Sequence, residues 1–267
     1  MKFIKETKNN IVYYTVPEFT KQGFNNVFTT KRSGASFEEK ELNFGTNCND
    51  TPEAILENYE NALKLIDSTP EKTIKSKQTH SDIVLMVNKS YAGQGIIRDH
   101  SFFEADGLIT NEKDLSLLIF FADCVPILIA DKKTRVISAI HSGWRGTKDN
   151  IITVAIKKFT EKLGSDPNDL IFAIGPSIGV CHFEVNKELH FELTSLYGQD
   201  CGRIENQKHY LNLRQAIFNQ ITKCGVPKEN IAVSDECTYC NKELYSFRRE
   251  DDKAGRMAAA ITINNEQ

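Results

Sequence analysis

Apolar and polar positions alternate along the first part of the chain in a way that predicts strands separated by polar turns. Ile11, Tyr13 and Val16 mark an edge hairpin over residues 2–16, and residues 24–30 predict a further strand. Ser33-Gly34-Ala35-Ser36 breaks that strand, and the Glu-Glu-Lys-Glu run at 38–41 reads as a solvated loop. Leu42-Asn43-Phe44-Gly45 and a polar turn follow. At Thr51-Pro52 the pattern changes: Thr caps a helix and Pro suits its first turn. Ile55, Leu56, Tyr59, Ala62, Leu63 and Ile66 then recur at helical spacing on one face, until Ser68-Thr69-Pro70 ends the element.

The middle of the chain is organised around residues 115–148. Three apolar runs, 117–122, 125–130 and 136–140, are short and rich in Ile, Leu and Val, as suits central strands covered on both faces. Asp123 and Cys124 separate the first two runs, Lys132 and Lys133 turn the chain, and the third run delivers His141. Ser142-Gly143-Trp144-Arg145-Gly146 follows. Cys124 and His141 therefore end adjacent buried elements. Upstream, Gln78-Thr79-His80-Ser81-Asp82 forms a break before a strand over 83–87, and Asp106 lies in a turn before the next strand.

Downstream, the spacing predicts a helix over 150–163 stopped by Gly164. A buried strand over 170–174 runs into Gly175-Pro176-Ser177-Ile178-Gly179, a loop whose backbone N–H groups could face an anion. Helices over 188–197 and 211–224 and a short strand over 231–234 complete this part. Arg248 and Arg249 follow an aromatic strand, and Arg256 precedes a last apolar run to Ile263. No repeat, linker or composition shift divides the sequence. The expectation is one α/β domain over residues 1–267, with a mixed sheet and peripheral helices.

Composition narrows the function classes. The 267 residues carry a net charge of -3 and a pI near 6.1, so no bulk basic field invites nucleic acid. No apolar run approaches the ~20 residues of a membrane span, and the start, Met-Lys-Phe-Ile-Lys-Glu-Thr-Lys, is too polar for a signal peptide. A cytoplasmic location is expected. Seven cysteines at irregular spacing point to reduced thiols rather than a disulfide framework. Cys237-Thr-Tyr-Cys240 is the one Cys-x-x-Cys pair; without a second such pair it reads as inert or locally structural.

Two His and one Cys form a recognised three-ligand zinc set that leaves a fourth position for water. His80, Cys124 and His141 supply those types, although spacing alone does not bring His80 to the other two.

The segments QTHSDIV, EADGLIT, ADCVPILIAD, AIHSGWRGT, GPSIGVCHFEV and YSFRREDDKAGRMAA resemble the laccase-domain, or polyphenol oxidase-like, family, whose members are known as purine nucleoside phosphorylases. The likeness runs from Phe28 to Ile261. It implies a mixed-sheet α/β sandwich and one zinc per chain on His80, Cys124 and His141. It also implies phosphorolysis of adenosine, inosine, guanosine and methylthioadenosine, with deamination of adenosine. Nucleosides and phosphate would be the partners. Tyr59 stands where the family commonly has Arg, and His182-Phe183 where it often has Cys-Tyr.

On this expectation Arg145, Arg248, Arg249 and Arg256, with Asn43, are candidates for gripping phosphate or purine, since guanidinium forks bind phosphate in two-pronged fashion. Asp123 and Asp106 are candidates for orienting a His ligand or carrying a proton. Two other classes stay open. A copper phenol oxidase would draw on many His, or for blue copper on two His, a Cys and a weak axial Met, and this chain has six His, with no His-x-His, and only Met1, Met86 and Met257. A Cys–His hydrolase would use Cys124 as nucleophile and His141 as base.

Overall fold

The computed structural model describes residues 1–33, 41–45, 50–98 and 104–264. The loop readings at 34–40 and after Gly45 lie outside the described residues. In chain order the first half comprises β1 (Ile4–Lys8), β2 (Ile11–Thr15), α1 (Pro17–Lys21), β3 (Phe24–Ser33), α2 (Pro52–Lys64), β4 (Thr73–Lys75), β5 (Val84–Met86), β6 (Gly107–Thr110) and β7 (Ser116–Phe121). Next come β8 (Val125–Asp131), β9 (Ile137–Ser142), α3 (Trp144–Lys148), α4 (Ile151–Lys157), β10 (Leu170–Ile174) and β11 (Glu184–Val185). The remainder is α5 (Lys187–Tyr197), β12 (Gly202–Glu205), β13 (Lys208–Leu211), α6 (Leu213–Lys223), β14 (Ile231–Val233), α7 (Phe247–Glu250) and β15 (Met257–Ile263).

Two six-stranded mixed sheets form the body, in the orders β1-β2-β3-β15-β7-β4 and β14-β10-β8-β9-β6-β5. Period-two alternation explains how they stack. On β7, Leu117, Ile119 and Phe121 meet Leu128, Ala130, Ile137 and Ala139 of β8 and β9 in one apolar layer between the sheets. The alternate residue Leu118, with Phe120 packed alongside, faces away toward α2, whose Tyr59, Ala62 and Leu63 cover that side. Ile127, Ile129 and Ile140 face the other way, under α4 and α6. The result is a four-layer sandwich, the mixed-sheet α/β arrangement expected.

Helix starts follow local chemistry. Thr51 caps α2 by accepting from the Ala54 N–H, and Asn186 and Asn212 do the same for α5 and α6. Three segments differ from expectation. The helix over 150–163 is α-helical only to Lys157, and a wider π turn over Lys158–Lys162 completes it while Phe159 stays in the core. Leu211 ends a strand rather than opening a helix. A small sheet, β11-β13-β12, was not anticipated; its hairpin turns at Asn206 and Gln207, both with positive φ.

The run 117–130 holds the topological feature that positions the site. β7 belongs to the first sheet and β8 to the second, so the chain crosses between sheets at Ala122-Asp123-Cys124. Asp123 makes the crossing with φ 89°, a conformation rare outside glycine.

Candidate metal centre

Cys124 precedes β8 and His141 lies near the end of β9, with Pro126 paired to His141 across an antiparallel ladder. By alternation His141 shares the inter-sheet face with Ile137 and Ala139. His80 arrives from the loop between β4 and β5. The donor atoms of His80, Cys124 and His141 all lie within 4.8 Å of one another. Cys124 Sγ is 3.8 Å from His80 Nε2, and the two imidazoles meet edge-to-face with centroids 4.9 Å apart.

Asp106 assembles this trio. It is completely buried. Its Oδ1 is 2.8 Å from His141 Nδ1 and accepts from the His80 N–H at 3.1 Å. Its Oδ2 accepts from the N–H groups of Thr79 and Ser81, at 3.1 and 2.7 Å, and from the Ser81 hydroxyl at 2.8 Å. A carboxylate so placed leaves His141 Nε2 for the cleft, the usual support of a metal-ligating His. It also holds His80 at φ 61°. Burial alone would raise the Asp106 carboxyl; the hydrogen bond and charge of His141 and the Ser81 donors outweigh it and bring the pKa down to about 2.

Burial likewise opposes ionisation of Cys124, but the adjoining His141 and His80 pull its thiol below the ordinary value. His141 is raised in return: burial would lower it, and the Cys124 thiolate and Asp106 hold its proton. Two imidazoles and one easily ionised thiol, converging with one side open, fit a zinc-type site of three protein ligands. Gly143 is part of the fit. A Cβ there would lie 3.0 Å from Cys124 Sγ and 3.1 Å from His80 Cδ2.

The trio lies on the wall of a cleft of about 420 Å³. Lys75, Gln78, Phe120, Phe247 and Arg256 line the rest of it. Of these, sequence reasoning singled out only Arg256. Gln78 pairs in two directions with the backbone of Phe120, donating to its carbonyl and accepting its N–H, at 2.9 and 2.7 Å. Lys75 sits 4.6 Å over the Phe120 ring, and burial lowers its pKa to about 8. A Lys at the end of a short strand, between Ile74 and Ser76, carries no signal in sequence. Tyr59 is buried behind Phe120, 6.1 Å from it and 5.3 Å from Phe44, so position 59 is one ring removed from the trio's cleft. It borders a neighbouring cleft that shares Lys75 and Phe120.

The other expected residues take different places. Asp123 orients no His: its carboxylate accepts from the Thr238 hydroxyl at 2.5 Å and the Arg248 N–H at 2.6 Å. Arg249 donates to the carbonyls of Thr238, Tyr239 and Leu244 and to Glu250, which engages its whole fork. Arg248 donates to the carbonyls of His182 and Glu184. Both belong to a short helix, and no aromatic strand leads into it, contrary to expectation, because the Arg249 and Glu250 N–H groups turn back onto the Ser246 carbonyl. Arg145 lies over the Trp144 ring at 4.3 Å. Asn43 is used internally, accepting from the N–H groups of Gly45 and Arg256 and donating to Asp50. The 175–179 loop offers no open nest either: the N–H groups of Gly175, Ile178 and Gly179 bond Pro126, Asp123 and Cys237.

The fold and this trio define the class. A family described as multi-copper polyphenol oxidoreductase laccase matches residues 25–264, and the chain belongs to it. Among relatives, a protein named purine nucleoside phosphorylase from Bacteroides thetaiotaomicron is 34% identical over 248 residues, covering 89% of this chain and 91% of that protein. Purine nucleoside phosphorylase YlmD of Bacillus subtilis is 32% identical over 240 residues, covering 88% and 86%. The crystal structure of the hypothetical protein YfiH from Bacillus licheniformis superposes with a TM-score of 0.88 at 26% identity, over 97% of this chain and 99% of that one. No helix among the described residues is long and apolar enough to cross a membrane.

Proposed function

We propose that this chain is a purine nucleoside phosphorylase that holds one zinc on His80, Cys124 and His141 and also deaminates adenosine. One observation carries the reading: the three donors, braced by buried Asp106, converge on a cleft that combines aromatic and cationic walls. The naming of the relatives supports the nucleoside as substrate. Bound zinc would supply an acidified water and an electrophilic centre.

The chain's own residues do the rest. Phe120 and Phe247 offer ring faces to a purine, and Lys75 and Arg256 offer the positive charge that a phosphate oxyanion needs. In phosphorolysis a phosphate oxygen bonds to ribose C1 as the bond from C1 to the purine nitrogen breaks. The leaving base then takes up a proton. In deamination water replaces the C6 amino group and ammonia departs. Asp106 keeps His141 in one tautomer throughout. Adenosine, inosine, guanosine and methylthioadenosine share the purine ribonucleoside core this cleft would grip.

The donor set favours zinc over the copper chemistry in the family's description. Multicopper sites draw on many His, and a blue-copper ion on two His and a Cys takes an axial Met, whereas no Met is among the residues lining this cleft. A second reading has its own observation. Asp106, His141 and Cys124 form a carboxylate–imidazole–thiol series of the kind a Cys hydrolase uses.

The test is incubation of purified protein with adenosine, with and without phosphate. Adenine and ribose 1-phosphate only with phosphate, and inosine without it, are expected. Absence of both products overturns the reading.

A further inference from the structure

The Cys-x-x-Cys pair has companions that the sequence pattern hid. Cys181 and His182, more than fifty residues upstream, come to rest against Cys237 and Cys240, and the four ligand atoms lie within 4.8 Å of one another. Cys181 Sγ is 3.4 Å from Cys237 Sγ and 3.6 Å from Cys240 Sγ, and Cys240 Sγ is 3.3 Å from His182 Nδ1. A tetrahedral zinc with bonds of about 2.3 Å to sulfur and about 2.0 Å to nitrogen sets its ligands roughly 3.5–3.8 Å apart. The four side chains are already near those edges.

We propose that Cys181, His182, Cys237 and Cys240 form a second metal site, a closed structural zinc centre independent of the catalytic reading above. Four protein donors leave no open position, which is the mark of a structural rather than a catalytic site. The surroundings are built for it. The Gly179 N–H donates to Cys237 Sγ at 3.2 Å, the type of bond that steadies a thiolate ligand. His182 stacks on Tyr239, from within the Cys-x-x-Cys turn, with centroids 4.0 Å apart and planes 19° from parallel. That stacking fixes the ring with Nδ1 toward Cys240. Arg249 holds the carbonyls of Thr238 and Tyr239, and Arg248 holds that of His182, so both ligand-bearing segments are braced from one short helix.

The site also has something to stabilise. Thr238 lies between the two turn cysteines, and its hydroxyl binds the carboxylate of Asp123, the residue before Cys124. The Ile178 N–H binds the Asp123 carbonyl. A zinc tying Cys181–His182 to Cys237–Cys240 would clamp two of the segments that hold the Asp123 crossing in its left-handed conformation.

Elemental analysis of the purified chain is the first measurement, with about two zinc ions per chain expected. Cys240→Ser should lower this to about one. His80→Ala/Cys124→Ala should also retain about one, and that remaining ion, exchanged for cobalt, should give strong thiolate-to-cobalt charge-transfer absorption. The wild-type chain supplies a control that needs no variant. Alkylation of Cys181, Cys237 and Cys240, read by peptide mass mapping, should be slow until a strong chelator is added. One zinc in the wild type and none in His80→Ala/Cys124→Ala, or a disulfide among these three cysteines in metal-free protein as isolated, overturns the proposal.

Discussion

Asp106 Oδ1 lies 2.8 Å from His141 Nδ1 while the same carboxylate accepts from the backbone of His80, so one buried side chain fixes two of the three donors. Asp106→Asn should weaken zinc binding about ten- to a hundredfold, measured by competition with a chromophoric chelator. The acid behaviour should follow. A carboxyl lowered from 3.8 to about 2 stabilises the fold above its unfolded value, and the contribution fades as pH falls toward about 2. The advantage of wild type over Asp106→Asn in denaturant unfolding, ~2 kcal/mol from this source near neutral pH, should therefore shrink as pH drops from 4 toward about 2. An advantage that grows instead would refute the assignment.

Gly143→Ala should act on the trio without touching the core. The new methyl would press on Cys124 Sγ and His80 Cδ2. Zinc affinity and turnover should fall together, while the melting temperature of metal-free protein changes little. Unaltered zinc affinity would mean that the loop moves aside freely.

Chelation should abolish both activities, and zinc should restore them. Cys124→Ala and His80→Ala should be equally inactive, because either breaks the same centre. Iodoacetamide should modify Cys124 slowly in holo protein and quickly after chelation. Full turnover in demonstrably metal-free protein would sink the zinc mechanism and favour the Cys hydrolase instead.

Arg256 donates to the carbonyls of Ala254 and Gly255 through one guanidinium nitrogen, whereas all three nitrogens of Arg249 are engaged, so the two should separate. Arg256 lines the cleft, and its replacement by Ala should raise the KM for phosphate by roughly ten- to a hundredfold, the worth of a charged hydrogen bond. Deamination, which needs no phosphate, should be affected less. Arg249→Ala strips donors from three carbonyls, so it should lower the melting temperature and depress both activities alike.

Lys75 should give phosphate use a pH limit. Burial lowers its pKa to about 8, so it is charged below that pH and neutral above it. The KM for phosphate should climb as pH passes about 8, and Lys75→Met should flatten that climb. An unchanged profile in the variant would assign the dependence to another group.

The strands were legible because Leu117 to Ala130 and Val136 to Ile140 are apolar enough to fit only a covered sheet. Which sheet each strand joins was not legible. The crossing rests on the backbone of Asp123, and a polar residue at a turn reads the same whether the chain doubles back or changes layers. Cys124 and His141 could be placed beside each other from β8 and β9 alone, whereas His80 needed the family resemblance, since Asp106 brings it in through long-range hydrogen bonds. The arginines misled because a guanidinium that braces carbonyls and one that faces a ligand have the same sequence. Cys181 and His182 went unread as partners of Cys237 and Cys240 because a Cys-His pair lacks the Cys-x-x-Cys form.

β15 lies between β3 and β7 in the first sheet, although β3 and β7 are made long before it. Until residues 257–263 take their place, nothing joins β3 to β7 across the centre of that sheet. Phe120 on β7 and Arg256 at the mouth of β15 can flank a common cleft only then. The cleft therefore depends on pairings of high sequence separation, Ala259 with Phe28 on one side and with Ile119 on the other, so loss of β15 would cost the site its aromatic and cationic walls together.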